Sequence, residues 1–117
     1  MKPLENKRTI GSCYENLAAA FLEEQGYEIL ERNYRDRRGE IDLIARDGRY
    51  LVFIEVKYRK NMKKGYPEEA VTPTKQQHIH RTAEYYLYRH AYEEALPCRV
   101  VVVSILGDEI SLIQDAF

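Results

Sequence analysis

Asp42, Glu55 and Lys57 are the residues whose types and spacing point to chemistry. Asp42 sits in the run EIDLIAR over 40–46, and the other two sit in YLVFIEVKY over 50–58. Both runs are rich in branched and aromatic residues, as strands are, and the Asp47-Gly48 between them is a strong hairpin signal. Alternate side chains of a strand share a face. Glu40, Asp42 and Ile44 therefore fall together on the first strand, and Leu51, Phe53, Glu55 and Lys57 on the second. A turn made of residues 47 and 48 pairs Arg46 with Arg49, sets Asp42 opposite Phe53 and sets Glu40 opposite Glu55. A four-residue loop sets Asp42 directly opposite Glu55. Either even loop puts the two acids on one face, and an odd loop separates them.

Two carboxylates brought close must be compensated. Unit charges ~4 Å apart repel by roughly 4 kcal/mol at an effective dielectric near 20. A shared proton, a cation or distance has to offset that. Lys57 is one cation on the same face. A hard divalent ion such as Mg²⁺ is the other candidate, because it accepts one or two carboxylates and completes its shell with water and substrate phosphate. The backbone carbonyl of Val56 is a further oxygen ligand. An ion that polarises a phosphate and acidifies a water, with a lysine beside the developing charge, is what metal-assisted phosphodiester hydrolysis needs.

These strands need a frame. Residues 11–26 read as a helix, with Tyr14, Leu17, Ala18 and Phe21 at helical spacing and Gly26 as its stop. Residues 27–35 read as a strand, and Asp36 to Gly39 as a turn. Residues 59–72 read as a basic loop. A second helix starts with Thr72 as N-cap and Pro73 in the first position, and runs to Leu96-Pro97. Ile79, Ala83, Tyr86, Leu87 and Ala91 form its apolar stripe. Residues 99–106 are apolar on both faces, as a central strand is, and Ile110 to Ile113 form a last short strand. The order α-β-β-β-α-β-β predicts an α/β fold of the mixed, α+β kind, with helices packed on a mixed sheet.

The chain has 117 residues and a net charge of −1. That length suits one domain over 1–117, with the polar residues 1–9 as a loose arm. An apolar share of 44% argues against disorder. Residues 1–64 carry 14 basic and 11 acidic side chains, while 65–117 carry 4 and 8, so a polarised nucleic-acid binder is compatible with the neutral total. No apolar run reaches the ~18 residues of a membrane span, and the N-terminus does not read as a signal peptide. Cys13 and Cys98 read as two packed thiols in a reducing compartment, so the expected location is cytoplasmic.

The pattern Gly39-Glu40-Ile41-Asp42, twelve residues, then Glu55-Val56-Lys57 resembles the PD-(D/E)XK nuclease signature. The wider text resembles one branch of it, the YraN-type family of uncharacterised bacterial proteins. The matching segments are Gly11…Glu15…Ala18, Gly26-Tyr27, Arg32-Asn33-Tyr34-Arg35, GEIDLI over 39–44, FIEVKYR over 53–59 and the terminal Ala116-Phe117. The resemblance implies a restriction-endonuclease-like core similar to Holliday-junction resolvases, acting on structured or branched DNA. It implies that Asp42 and Glu55 hold Mg²⁺ or Mn²⁺, and that Lys57 positions the attacking water or stabilises the pentavalent phosphate. By the same likeness Glu15 is an accessory acid, and Lys75 and Gln76 contact DNA phosphate. One departure stands out: where the family usually carries Arg-Phe-Asp-Val, this chain has Arg99-Val100-Val101-Val102.

Other residues have two readings each. Arg59, Lys60, Lys63 and Lys64 continue from Lys57 as a run of cations, either a solvated loop or a phosphate track. Arg35 and Arg38, with Arg32 and Arg37, make a second cluster of the same kind. Glu40 is a structural acid that could bond Arg35 or Arg38. The tyrosines at 85, 86, 88 and 92 read as packing and a partner face, and His78, His80 and His90 as helix surface. The expected function is a metal-dependent endonuclease. The alternatives are a non-catalytic nucleic-acid-binding module of the same fold, and a protein-interaction module; a homodimer is compatible with the first reading and the third.

Overall fold

The computed structural model describes residues 7–90 and 96–114, with side chains in the first helix from Cys13 onward. The elements are α1 (Lys7–Glu24), β1 (Glu28–Asp36), β2 (Gly39–Asp47), β3 (Tyr50–Arg59), α2 (Pro73–Arg89), β4 (Cys98–Leu106) and β5 (Glu109–Ile113). Helix α1 starts before residue 11, so residues 7–9 of the expected arm are helical; residues 1–6 lie outside the described residues. The expected basic loop contains two single-turn 3₁₀ helices, Met62–Lys64 and Pro67–Ala70. Thr72 caps α2 as expected, its Oγ1 accepting from the Lys75 N–H at 3.3 Å. The helix closes at Arg89 with His90 as C-cap, short of the expected Leu96. Ala91 and Tyr92 lie outside the described residues.

The five strands form one sheet in chain order. Pairing is antiparallel from β1 to β3 and between β4 and β5, and parallel between β3 and β4. A parallel pair requires a crossover, and α2 supplies it. The sheet has a core on each face. Ala18, Ala19 and Leu22 of α1 pack with Leu43, Ile54 and Val101. Ile79, Ala83 and Tyr86 of α2 pack with Ile44, Phe53 and Val102. The expected mixed α/β architecture is what is found, with β4 buried on both faces as a central strand.

The β2–β3 register is that of the four-residue alternative, Arg46 opposite Leu51, with the ladder carried one pair further so that the turn itself is two residues long. Asp47 pairs with Tyr50, so the turn residues are Gly48 and Arg49. Gly48 takes a φ of +59, the conformation a tight turn demands at its first position and glycine adopts at little cost. Asp47 stays in the ladder, where its Oδ2 accepts from Arg99 Nη2 at 2.5 Å. The ladder runs to Leu43 opposite Ile54, and one step further sets Asp42 opposite Glu55.

At that step the alternation of β2 breaks. Leu43 and Ala45 belong to the α1-side core, whereas Ile41 and Ile44, three apart, both belong to the α2 side. The neighbouring strand breaks at the same level. Arg32 Nη1 donates to Asn16 Oδ1 of α1 at 2.6 Å, while Tyr34 packs edge-on against Tyr86 of α2. Asn33 between them has a φ of +53, a left-handed conformation that asparagine tolerates better than most residues. Arg32 pairs with Leu43 and Tyr34 with Ile41, so Asn33 and Asp42 face each other at the kink.

Candidate functional site

Asp42 occupies the kink. With β2 bent away, its Oδ2 takes the place of a ladder carbonyl and accepts the Val56 N–H at 2.8 Å. N–H and C=O of one strand residue point to the same side, so the Val56 carbonyl also faces Asp42. Glu55 lies beside Asp42, close enough that the Asp42 charge bears on its carboxyl. Burial, then the Asp42 charge, pushes Glu55 up to about 8; Lys57 pulls the other way. Lys57 Nζ lies 3.3 Å from Glu55 Oε1, and both side chains are largely buried. Burial works against the Lys57 charge, but Glu55 and the contacts around it outweigh that and raise its pKa.

Glu15 approaches from α1. Its pKa is raised by burial first and then by the nearby Asp42, while Asn33 opposes the shift. Asp42 thus lies near one acid from each helical side of the sheet. The three acids form a chain, Glu15 to Asp42 to Glu55, rather than a closed cage. Among the described residues no three His, Cys, Asp or Glu side chains group tightly enough to hold an ion by themselves.

On the α2 side a pocket of about 240 Å³ opens onto Glu55 and Lys57, walled by Gly39, Glu40, Lys75, His78 and Ile79. Lys75 stands in the first turn of α2 within hydrogen-bond reach of Lys57. That contact, then burial, lowers its pKa. Gly39 packs close beneath α2, where a Cβ would meet Thr82 Oγ1 at 3.0 Å.

A family model described as "Uncharacterised protein family UPF0102" matches residues 14–105. The chain belongs to that family. It is similar to a UPF0102 protein of Lachnoclostridium phytofermentans, 55% identical over 112 residues, covering 96% of this chain and 95% of the relative. A UPF0102 protein of Caldicellulosiruptor saccharolyticus is 44% identical over 118 residues, covering 96% and 99%. One of Syntrophus aciditrophicus is 47% identical over 116 residues, covering 97% and 91%. The expected family membership is thereby shown.

The remaining expected positions of this UPF0102 chain divide. Gln76 does not face the pocket; its Nε2 donates to the Val71 carbonyl at 3.0 Å and ties down the start of α2. Arg59 Nη1 donates to the Lys64 carbonyl and folds the basic loop back on itself. Lys60, Lys63 and Lys64 are exposed on that loop. Arg35 pairs with Glu40 at 3.1 Å on the surface, one of the two partners expected for Glu40. Arg38 lies 3.7 Å above the Tyr85 ring. Val101, where the family usually has Asp, is fully buried on the α1 side opposite Ile54, so a carboxylate there would not share the face of Glu55. Cys13 and Cys98 are free thiols as expected but exposed rather than packed. No helix among the described residues is long and apolar enough to cross a membrane.

His78 is a pocket residue that the sequence reading placed on the plain helix surface. Its signal was available: it lies three residues after Lys75, one helical turn along the same face.

Proposed function

We propose that this UPF0102 protein is a divalent-metal-dependent endonuclease that hydrolyses DNA phosphodiester bonds, with branched DNA as the substrate to test first. The observation that carries the reading is the Asp42–Glu55 pair beside Lys57. Two carboxylates held near each other inside a fold, one of them buried enough to keep its proton to about pH 8, are a site where a cation can replace that proton. Mg²⁺ or Mn²⁺ suits the donors: hard oxygens from Asp42, Glu55 and the Val56 carbonyl, with Glu15 behind Asp42. Such an ion, when bound, polarises the phosphate and acidifies a water. The chain supplies the rest. The Lys57 ammonium stands where negative charge grows on the phosphate, already oriented by Glu55. Lys75 adds a second positive charge to the pocket wall, and Gly39 keeps β2 close enough for both to face one substrate group.

The test is cleavage of labelled four-way junction, flap, duplex and single-stranded DNA with Mg²⁺ or Mn²⁺. Wild type should cut, and Asp42→Ala and Glu55→Ala should lose all metal-dependent cutting. Cutting at the wild-type rate by either variant would sink the assignment.

A further inference from the structure

The β1–β2 turn and the end of α2 enclose a second concavity that the site above does not use. It is an open depression of about 850 Å³, lined by Arg35, Asp36, Arg37, Arg38, Tyr85 and Arg89. Four guanidinium groups and the Asp36 carboxylate line it, and one of the four, Arg35, is paired with Glu40 at 3.1 Å. That carboxylate is occupied by the turn itself: Asp36 Oδ2 accepts from Tyr34 OH at 2.8 Å, and Oδ1 accepts from the Arg38 N–H at 2.8 Å. Tyr85 holds the arginines in place, with Arg38 3.7 Å and Arg89 5.8 Å from its ring centroid. Exposed arginines gathered on an aromatic face suit phosphate, whose oxygens their forked donors match. Arg35 has Glu40 as a counter-charge, but Arg37, Arg38 and Arg89 share only Asp36 in the depression, and that surplus of positive charge points to an anionic occupant.

Position narrows the occupant. Asp36 pairs with Gly39 and Arg35 with Glu40, and Gly39 and Glu40 are also the wall of the Glu55 pocket. The depression and the pocket therefore share a rim one strand wide, and a strand leaving the pocket across Gly39 runs onto the arginines.

We propose that the Arg35–Arg38 turn with Arg89 is a phosphate-backbone subsite that holds the DNA strand flanking the scissile bond. The proposal rests on the nuclease reading of the Glu55 pocket and gives the substrate its direction across the protein. Arg89, from the far end of α2, becomes a binding residue that its own sequence neighbourhood does not mark.

The test compares two double variants of equal charge change, Arg37→Ala/Arg89→Ala in the depression and Arg46→Ala/Arg49→Ala at the opposite end of the hairpin. All four positions are exposed, so both proteins should melt like wild type. Binding of labelled four-way junction and duplex DNA is followed by anisotropy in EDTA across a salt series, with cleavage measured in parallel. Each phosphate contact removed lowers the slope of log K against log salt by about 1. Arg37→Ala/Arg89→Ala should therefore bind at least tenfold more weakly, with a slope shallower by about 2, while Arg46→Ala/Arg49→Ala stays near wild type. Equal losses in both, or no loss in the first, would overturn the subsite. If wild type cuts and Arg37→Ala/Arg89→Ala binds unchanged, the subsite falls and the nuclease reading stands. If wild type neither binds nor cuts, both fall. A melting shift by inorganic phosphate that Arg37→Ala/Arg89→Ala removes, with DNA binding intact, would reassign the depression to a free phosphate compound and overturn the proposal.

Discussion

Replacing Glu55 with glutamine should stabilise this protein, and increasingly so as pH rises. Glutamine keeps the shape of a protonated glutamate without its charge. In the folded chain Glu55 holds its proton up to about pH 8, against an ordinary value of 4.5, because of burial and then Asp42. The two neighbouring charges oppose each other: at an effective dielectric near 20, Lys57 at 3.3 Å attracts the carboxylate by about 5 kcal/mol, and the Asp42 charge works against it. Burial is the largest cause, and it favours the neutral form. Between pH 4.5 and 8 the folded state binds a proton that the unfolded state has lost, so wild-type stability falls with rising pH throughout that window and levels off above it. A shift of roughly 3.5 units at about 1.4 kcal/mol each sets a ceiling of about 5 kcal/mol. Near pH 5 residue 55 is neutral in both proteins and Lys57 has the same surroundings, so the two should melt together. By pH 8, in EDTA, Glu55→Gln should be more stable by at least about 2 kcal/mol, or roughly 8 °C in melting temperature. Circular dichroism melts at pH 5, 6.5, 8 and 9 measure this. A Glu55→Gln protein that melts below wild type at pH 8, or a difference that does not grow with pH, would refute the reasoning.

Mg²⁺ or Mn²⁺ should shrink that difference. At 100 times its Kd a bound ion adds about 2.7 kcal/mol to wild type at pH 8, with proton release, and adds little to Glu55→Gln; equal melting shifts in both would count against an ion at Glu55. Lys57→Met should keep DNA binding within a few-fold and lower single-turnover cutting by about 10²–10³, and a rate within threefold of wild type would remove Lys57 from the reaction. Asp47→Ala strips the carboxylate from the largely buried Arg99 and leaves Tyr27 OH at 2.6 Å as its remaining bonded partner. The expected loss is about 2–3 kcal/mol in urea unfolding, and a loss under 0.5 would show the pair contributes little. Thr72→Ala removes the cap of α2 and should cost about 1 kcal/mol by the same measurement.

The hairpin was legible because its signals are local. Branched and aromatic runs, a glycine and an even spacing bring Asp42, Glu55 and Lys57 to one place whichever residue opens the turn. Choosing between the two even loops needed the distant partner of Asp47, Arg99, which no local pattern announces. The kink was not legible. It depends on one left-handed residue, Asn33, in a strand that pairs opposite Asp42, and without it Asp42 could not meet both Glu15 and Glu55. Gln76 and Arg59 carry the right chemistry for phosphate, but each turns its side chain back to a backbone carbonyl, of Val71 and of Lys64. A polar side chain at a helix start or loop end is drawn first to nearby backbone oxygens. Arg89 escaped for the opposite reason: it is ordinary in its own helix and gains meaning from the β1–β2 turn that faces it.

The strand order carries a consequence in time. The turns at 37–38 and 48–49 let β1, β2 and β3 pair through short-range contacts, whereas β4 is separated from its partner β3 by residues 60–97 of the sequence. Local pairings form early in folding and long closures late. The Asp42, Glu55 and Lys57 cluster belongs to the early meander, while Lys75 and His78 arrive with α2. The growing nucleus therefore carries crowded acids before their second cation is in place. Its barrier should fall when those acids are protonated, so refolding in stopped flow should be faster at pH 6 than at pH 9, and Glu55→Gln should abolish much of that difference.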